Sequence, residues 1–267
     1  MSINHLPEKC VAQIKSLFEI FRKFEGIRIA FSGGMDSSFL ALAAKKSGIR
    51  NIETHFVVSE LITKAESIRA RNISEKYGFH FSERQISVLQ DPLISENPAE
   101  RCYHCKKAIF SMLMENLPAG WILCDGTQLS DADDHRPGKR ALKELGVKSP
   151  LVEAGIDKRM IIDALRFWQA SDLIRSPQPC LATRFPVGTH ITDELLRKIE
   201  AGEEILKNTG LTNLRLRYHK DIARIEVAPE NIEEAAGLMK GCVEEIKNLG
   251  FKFVTLDLAG YKTGSMN

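Results

Sequence analysis

The feature that most constrains this chain is a short apolar run followed at once by a Ser-Gly-Gly turn and a helix start. Ile27-Arg28-Ile29-Ala30-Phe31 reads as a strand, Ser32-Gly33-Gly34 as a turn, and Met35-Asp36-Ser37-Ser38 opens a Leu- and Ala-rich helix running to Lys46. Glycines let a backbone turn sharply and approach a ligand closely. The N–H groups at the helix start, helped by the helix dipole, bind an anion. The hydroxyls of Ser32 and Ser37 add donors, and Asp36 can orient a phosphate-bound Mg²⁺. No Lys follows the glycines, so this is not a Walker A loop. The bland alternative is a Gly-rich turn with no ligand, and the strand-turn-helix context weighs against it.

Around this unit the sequence alternates. Strand-like runs at Glu53–Val58, Phe79–Ile86 and Trp121–Cys124 are separated by helical patterns at Thr63–Tyr77 and Pro98–Leu117, and a further helix precedes the first strand over Leu6–Phe24. Strands alternating with helices predict βαβ units and a parallel sheet. The expected fold is α/β, a doubly wound parallel sheet with its site beyond the carboxyl ends of the strands. After the Pro-rich stretch Ser176-Pro177-Gln178-Pro179-Cys180 the order changes. A helix (Thr192–Asn208), two strands (Asn213–Tyr218 and Ala223–Val227), a helix (Asn231–Asn248) and a strand (Lys252–Leu256) predict a smaller C-terminal α+β domain. The boundary is placed near Gly188, giving a part over 1–187 with the phosphate loop and the cysteine site and a substrate or oligomerisation part over 188–267.

The segment SGGMDSS resembles the signature of the PP-loop ATP pyrophosphatases. That resemblance implies a loop gripping the pyrophosphate of ATP, transfer of AMP to a carboxylate or carbonyl oxygen, and displacement of AMP by a nucleophile. The ATP-binding residues it implies are Ser32, Gly33, Gly34, Asp36, Ser37 and Ser38.

Among 267 residues a formal charge of +2 is too small to argue for nucleic acid. Charges interrupt the apolar positions of the amino-terminal segment and nothing later approaches a membrane span, so a cytoplasmic protein is expected. Six cysteines are too sparse for a disulfide scaffold, and clustered ones read as metal ligands or reactive thiols. Cys102 and Cys105 sit in Asn97-Pro98-Ala99-Glu100-Arg101-Cys102-Tyr103-His104-Cys105-Lys106. With Asn97 as cap and Pro98 in the first turn, the thiols fall at i and i+3 on one helix face, where the helix start, Arg101, Lys106 and Lys107 favour thiolate. Cys180 lies in Pro179-Cys180-Leu181-Ala182-Thr183-Arg184. Four readings stand open from the residues: buried structural cysteines (the plain account of Cys10, Cys124 and Cys242), a zinc site with His104 as fourth ligand, a redox pair, or three ligands of a [4Fe–4S] cluster.

A longer series of motifs resembles the LarE family of ATP-dependent sulfur transferases of nickel-pincer-nucleotide cofactor synthesis. It comprises the CxxC segment, Asp125-Gly126-Thr127 running through Asp134 to Arg136-Pro137-Gly138, Ser149-Pro150-Leu151, Pro179–Arg184 and Gly260-Tyr261-Lys262-Thr263-Gly264-Ser265. The resemblance implies that Cys180 handles the sulfur. Some members have that cysteine alone and sacrifice its sulfur, whereas those with the CxxC pair hold a [4Fe–4S] cluster on three cysteines. This sequence has all three, so Cys102, Cys105 and Cys180 are the implied cluster ligands. By the same resemblance Asp125, Gly126 and Thr127 frame the nucleotide, although a solvated loop is the simpler account of the acidic residues that follow. Thr183, Arg184, Arg215, Arg217 and Arg136 make sense as contacts for a pyridinium mononucleotide bearing a phosphate and two carboxylates. Arg215 and Arg217 alternate with Leu214 and Leu216 and so share one strand face, which an ordinary half-solvated sheet also explains. Glu203 or Glu204 lies near the position of an acidic metal-contacting residue. Sulfide or a sulfur donor and a trimer-based homo-oligomer complete the expectation. The rivals are the sacrificial-cysteine form, a tRNA thiolase, and a non-catalytic nucleotide-binding metal sensor.

Overall fold

The computed structural model of the chain describes residues 8–131, 137–176 and 178–262. In chain order the elements are α1 (Glu8–Arg22), β1 (Gly26–Ala30), α2 (Met35–Ser47), β2 (Asn51–Val58), α3 (Lys64–Tyr77), β3 (Phe81–Gln85), α4 (Pro92–Ser95), α5 (Arg101–Met114) and β4 (Trp121–Cys124). Then come α6 (Pro137–Glu144), α7 (Pro150–Glu153), α8 (Lys158–Phe167), a 3₁₀ turn at Leu181–Arg184, α9 (Asp193–Asn208), β5 (Arg215–His219) and β6 (Ile222–Glu226). The chain ends with α10 (Ile232–Leu238), α11 (Val243–Asn248) and β7 (Phe253–Leu256).

Two compact units result. The first comprises Met1–Ser59, Lys64–Ile86 and Cys102–Gln178; the second comprises Glu60–Thr63, Ser87–Arg101 and Pro179–Asn267. The second unit is therefore discontinuous in sequence, collecting two short earlier segments as well as the carboxy-terminal part.

The first unit is the expected α/β sheet flanked by helices, with strand order β3-β2-β1-β4 and every pair parallel. Apolar side chains on β1 and α2 fill its interior, with Ile27, Ile29, Phe39, Leu40, Ala41 and Ala43 all buried. From β1 the chain winds one way to β2 and β3, then returns to lay β4 on the other side of β1. That reversal opens a crevice beyond the carboxyl ends of β1 and β4, where open α/β sheets bind ligands.

Arg28 is a charged exception to the apolar interior. Its Nε donates to Glu53 Oε2 at 2.9 Å across the β1–β2 register. Its Nη1 donates to the carbonyls of Leu113 and Glu115 (2.9 Å each), and its Nη2 to that of Asn116 (3.3 Å). A buried guanidinium thus neutralises the carbonyl end of α5 and fixes that helix to the sheet. Burial pushes the Glu53 carboxyl up, but hydrogen bonding and charge from Arg28, with His55 adding to both, hold it below its ordinary value.

The second unit carries a three-stranded sheet, β5-β6-β7, antiparallel between β5 and β6 and parallel between β6 and β7. Helix α9 begins at the Thr192 cap, whose side chain accepts from the Leu195 N–H. The expected single helix over 231–248 is broken into α10, a 3₁₀ turn at Met239–Cys242 and α11. Gly237 and Gly241 in this stretch lower its helical propensity, and the Cys242 thiol donates to the Met239 carbonyl at 3.3 Å.

Asn97 also departs from its expected role. It adopts a left-handed φ of 52°, and its side-chain amide donates to the Pro186 carbonyl at 2.7 Å. It therefore caps no helix, and α5 starts at Arg101. Tertiary hydrogen bonds outweigh the local capping preference here. Removing Arg28 leaves the end of α5 unpaired and Glu53 with His55 as its remaining partner, so Arg28→Ala should cost about 3–5 kcal/mol in urea unfolding.

Candidate active site

The phosphate-loop residues converge at the end of β1. Gly33 has φ +67°, and a Cβ there would lie 2.9 Å from Ala70 Cα, so the turn needs glycine for both conformation and space. Ser37 Oγ donates to the Gly34 carbonyl at 3.2 Å and lies 3.1 Å from Ser32 Oγ, which in turn accepts from the Gly34 N–H at 3.3 Å. The N-cap of α2 is Gly34, which brings no side-chain cap. The first N–H groups of a helix have no intrahelical partners, so this start faces the crevice as a donor surface. Ser38 Oγ is buried and finds no hydrogen-bond partner among the described residues. A buried hydroxyl left unsatisfied costs free energy that a ligand oxygen can recover.

Asp125-Gly126-Thr127 meets this helix start from β4. A Cβ on Gly126 would lie 2.9 Å from the Ser37 nitrogen, so only glycine permits that approach. Asp125 is 5% exposed and accepts from Thr127 Oγ1 and, at 2.6 Å, from Ser149 Oγ. Its N–H bonds to the Lys148 carbonyl at 2.9 Å. Ser149 thus orients Asp125, a role given only by structure, although Ser149-Pro150-Leu151 was already visible as a motif.

Cys102 and Cys105 occupy the first turns of α5 on one face. Helix α6 braces that turn. The Tyr103 hydroxyl donates to Glu144 Oε2 at 2.7 Å, Lys107 Nζ donates to the Tyr103 oxygen at 2.9 Å, and the Arg140 guanidinium lies 3.9 Å from the Tyr103 ring centroid. Cys102 is exposed and Cys105 half-buried, as is Cys180 in the second unit; Cys10, Cys124 and Cys242 are buried. Burial is the first cause holding all three buried thiols above their ordinary value, with Cys10 pushed up to about 11. Among the described residues no group of three or more His, Cys, Asp or Glu side chains is gathered to hold a metal ion.

The second unit concentrates arginines. Arg184, 2% exposed, pairs through Nε and Nη2 with Glu203 Oε1 and Oε2 at 2.8 and 3.0 Å. Arg217 pairs with Glu226 at 2.7 Å and donates to the Thr183 carbonyl at 2.8 Å. Arg215 and Arg217 lie 5.4 and 5.7 Å from the Tyr261 ring centroid. Burial first, then repulsion from Arg184, lowers the Arg215 pKa. Expecting a shared face for Arg215 and Arg217 is consistent with both being buried behind Tyr261, whose N–H bonds to the Val227 carbonyl at 2.8 Å. Of the two candidate acids, Glu203 is buried against Arg184 and Glu204 is exposed. Arg136, Asp133, Asp134, His135 and the motif positions Thr263, Gly264 and Ser265 lie outside the described residues.

No protein-family model matches the chain. Three relatives align over nearly its whole length. An uncharacterized protein of Synechocystis is 33% identical over 266 residues, covering 96% of this chain and 97% of the relative. The pyridinium-3,5-bisthiocarboxylic acid mononucleotide synthase of Lactiplantibacillus plantarum is 30% identical over 256 residues, covering 94% and 92%. The chain belongs to the LarE family. A third relative, an uncharacterized protein of Methanocaldococcus jannaschii, is 30% identical over 258 residues, covering 96% and 98%. Among the described residues of this LarE-family chain no helix is long and apolar enough to cross a membrane.

The burial pattern divides the six thiols cleanly. Brief treatment of the folded, iron-free protein with a thiol reagent should label Cys102, Cys105 and Cys180 and spare Cys10, Cys124 and Cys242, as read by peptide mass mapping.

Proposed function

We propose that this protein is an ATP-dependent sulfur transferase that converts a carboxylate of a pyridinium dicarboxylate mononucleotide into a thiocarboxylate, in nickel-pincer cofactor synthesis. The observation that carries the ATP-dependent half is the meeting of the Ser32–Ser38 helix start with Asp125-Gly126-Thr127 at the strand-order reversal. The substrate class rests on the near full-length likeness to the Lactiplantibacillus synthase.

In this reading the triphosphate lies on the start of α2. Backbone N–H groups and the hydroxyls of Ser32, Ser37 and Ser38 hold its oxygens, Asp36 holds Mg²⁺, and Asp125, fixed by Thr127 and Ser149, frames the nucleotide. A substrate carboxylate oxygen attacks the α-phosphorus, the bond to pyrophosphate breaks, and an acyl-adenylate forms. Sulfide then adds to the activated carbonyl and AMP leaves. Adenylation is needed because a free carboxylate is a poor electrophile; AMP gives it a leaving group. Arg215 and Arg217, and by the family resemblance Arg136, are the proposed sources of positive charge for the substrate phosphate and carboxylates.

The three thiols that are not buried suit a metal cluster better than the three held protonated inside the fold, since only thiolate coordinates. We propose Cys102, Cys105 and Cys180 as the ligands of a [4Fe–4S] cluster, which when bound would carry the transferable sulfide on its fourth iron. The same reading makes the protein a cytoplasmic, trimer-based homo-oligomer.

Two experiments test this. Cys180→Ala should abolish thiocarboxylate formation while leaving substrate-dependent pyrophosphate release measurable; loss of both from a folded variant contradicts the division of labour. Protein purified without oxygen should contain about four irons and four acid-labile sulfides per chain. Replacing any one of the three cysteines should remove them, whereas an iron-free protein after anaerobic reconstitution favours Cys180 as a sacrificial donor.

A further inference from the structure

The loop around Cys180 has an unusual set of partners. Four of its carbonyls accept from buried arginines. Arg184 Nη1 donates to the Pro179 carbonyl at 2.8 Å and to the Cys180 carbonyl at 3.2 Å. Arg101 Nη1 donates to Ala182 at 3.1 Å, and Arg217 Nη1 to Thr183 at 2.8 Å. The Cys180 carbonyl also accepts from Thr183 Oγ1 at 2.9 Å and from the Thr183 N–H at 3.0 Å, and the Leu181 N–H bonds to the Leu61 carbonyl at 3.1 Å. Hydrogen bonds from a charged donor are roughly twice as strong as neutral ones, so the peptide planes on both sides of Cys180 are firmly set.

Arg184 is the centre of this arrangement. One edge of its guanidinium is filled by the two Glu203 oxygens, and the remaining nitrogen serves Pro179, Cys180 and Thr183 Oγ1, the last at 3.0 Å. Glu203 Oε1 also accepts from the Leu216 N–H at 3.2 Å, so the counter-charge is itself tied to β5. A chain of contacts therefore runs from β5 through Glu203 and Arg184 to the Cys180 carbonyl. The rigid planar fork of Arg matches this geometry, whereas the point charge of Lys does not.

We infer that Arg184 is the positioning residue of the Cys180 loop, with Glu203 as its fixed counter-charge, and that neither touches the substrate. This rests on the reading of Cys180 as the sulfur-handling residue, and it replaces the substrate-contact role that the sequence resemblance implied for Arg184. A cluster ligand on a set backbone would hold the transferable sulfide in one geometry toward its carbonyl target, and a displacement near 1 Å can cost about 100-fold in rate.

The test uses full-length Arg184→Lys and, because a lone buried acid can unfold the domain, a double variant Arg184→Met with Glu203→Leu that removes both charges. Hydrogen exchange reads the loop directly and needs no chemistry. The Leu181 and Thr183 amides should exchange at least about tenfold faster in both variants, in step with the loosened backbone. Thiocarboxylate formation should fall about 100-fold, while the KM for the mononucleotide in pyrophosphate release stays within about twofold. Unchanged exchange would overturn the positioning role. A KM raised about tenfold or more with the transfer rate intact would make Arg184 a substrate ligand instead. If the unaltered protein forms no AMP with the mononucleotide, the proposed function fails, and the exchange result still judges the clamp.

Discussion

The backbone N–H groups at the start of α2 have no partners within their helix, and the first unit is organised around that shortage. Gly34 occupies the cap position without a side chain, Ser32 and Ser37 hold the turn by bonding to each other and to its backbone, and the buried Ser38 hydroxyl has no hydrogen-bond partner among the described residues. A fold optimised for stability alone would place a Ser, Thr, Asp or Asn cap here. The strand order puts this donor-rich start beside the carboxyl end of β4, and the missing side chain of Gly126 lets the Asp125 turn close against it. A helix start left without a side-chain cap is a place where an anion would be stabilised.

The second unit solves the opposite electrostatic problem. Three buried arginines, Arg184, Arg215 and Arg217, face two buried carboxylates, Glu203 and Glu226. Buried ion pairs contribute little net stability, because desolvation offsets the attraction. Their value here is geometric. Arg184 and Arg217 spend part of their donors on carboxylates anchored near β5 and β6 and the rest on carbonyls of the Cys180 loop. The loop thereby inherits the rigidity of a sheet. Arg101 is a third arginine bonded to this loop, through the Ala182 carbonyl, and it is the residue immediately before Cys102 in the chain.

Much of this was legible in the sequence, for reasons that differ by element. The β1–turn–α2 unit could be read because strand, glycine and helix signals are consecutive and local. The alternation of Arg215 and Arg217 with Leu214 and Leu216 gave the shared face, but burial is a tertiary property that alternation does not encode. The choice between Glu203 and Glu204 depended on which side of α9 meets Arg184, and one sequence does not fix that. From sequence, no element is assigned between Arg136 and the Pro-rich stretch at Ser176, yet this segment holds α6, α7 and α8. Two of these are only 4 and 8 residues long, and α8 is announced by its Asp157 cap, whose carboxylate accepts from the Met160 N–H at 2.8 Å. Asn97 misled because Asn-Pro before a helical run is a strong local signal, and its side chain is instead used by a distant carbonyl at Pro186.

The most direct test of the account is the number of thiocarboxylate groups formed per protein chain, without oxygen and with ATP, the pyridinium mononucleotide and excess sulfide, followed by the mass of the Cys180 peptide. Sulfide carried on the cluster, with the sulfur of Cys180 retained, predicts more than one product per chain, AMP released in step, and an unchanged peptide mass. A reaction that stops at one product, with Cys180 lighter by the mass of H₂S, would contradict it.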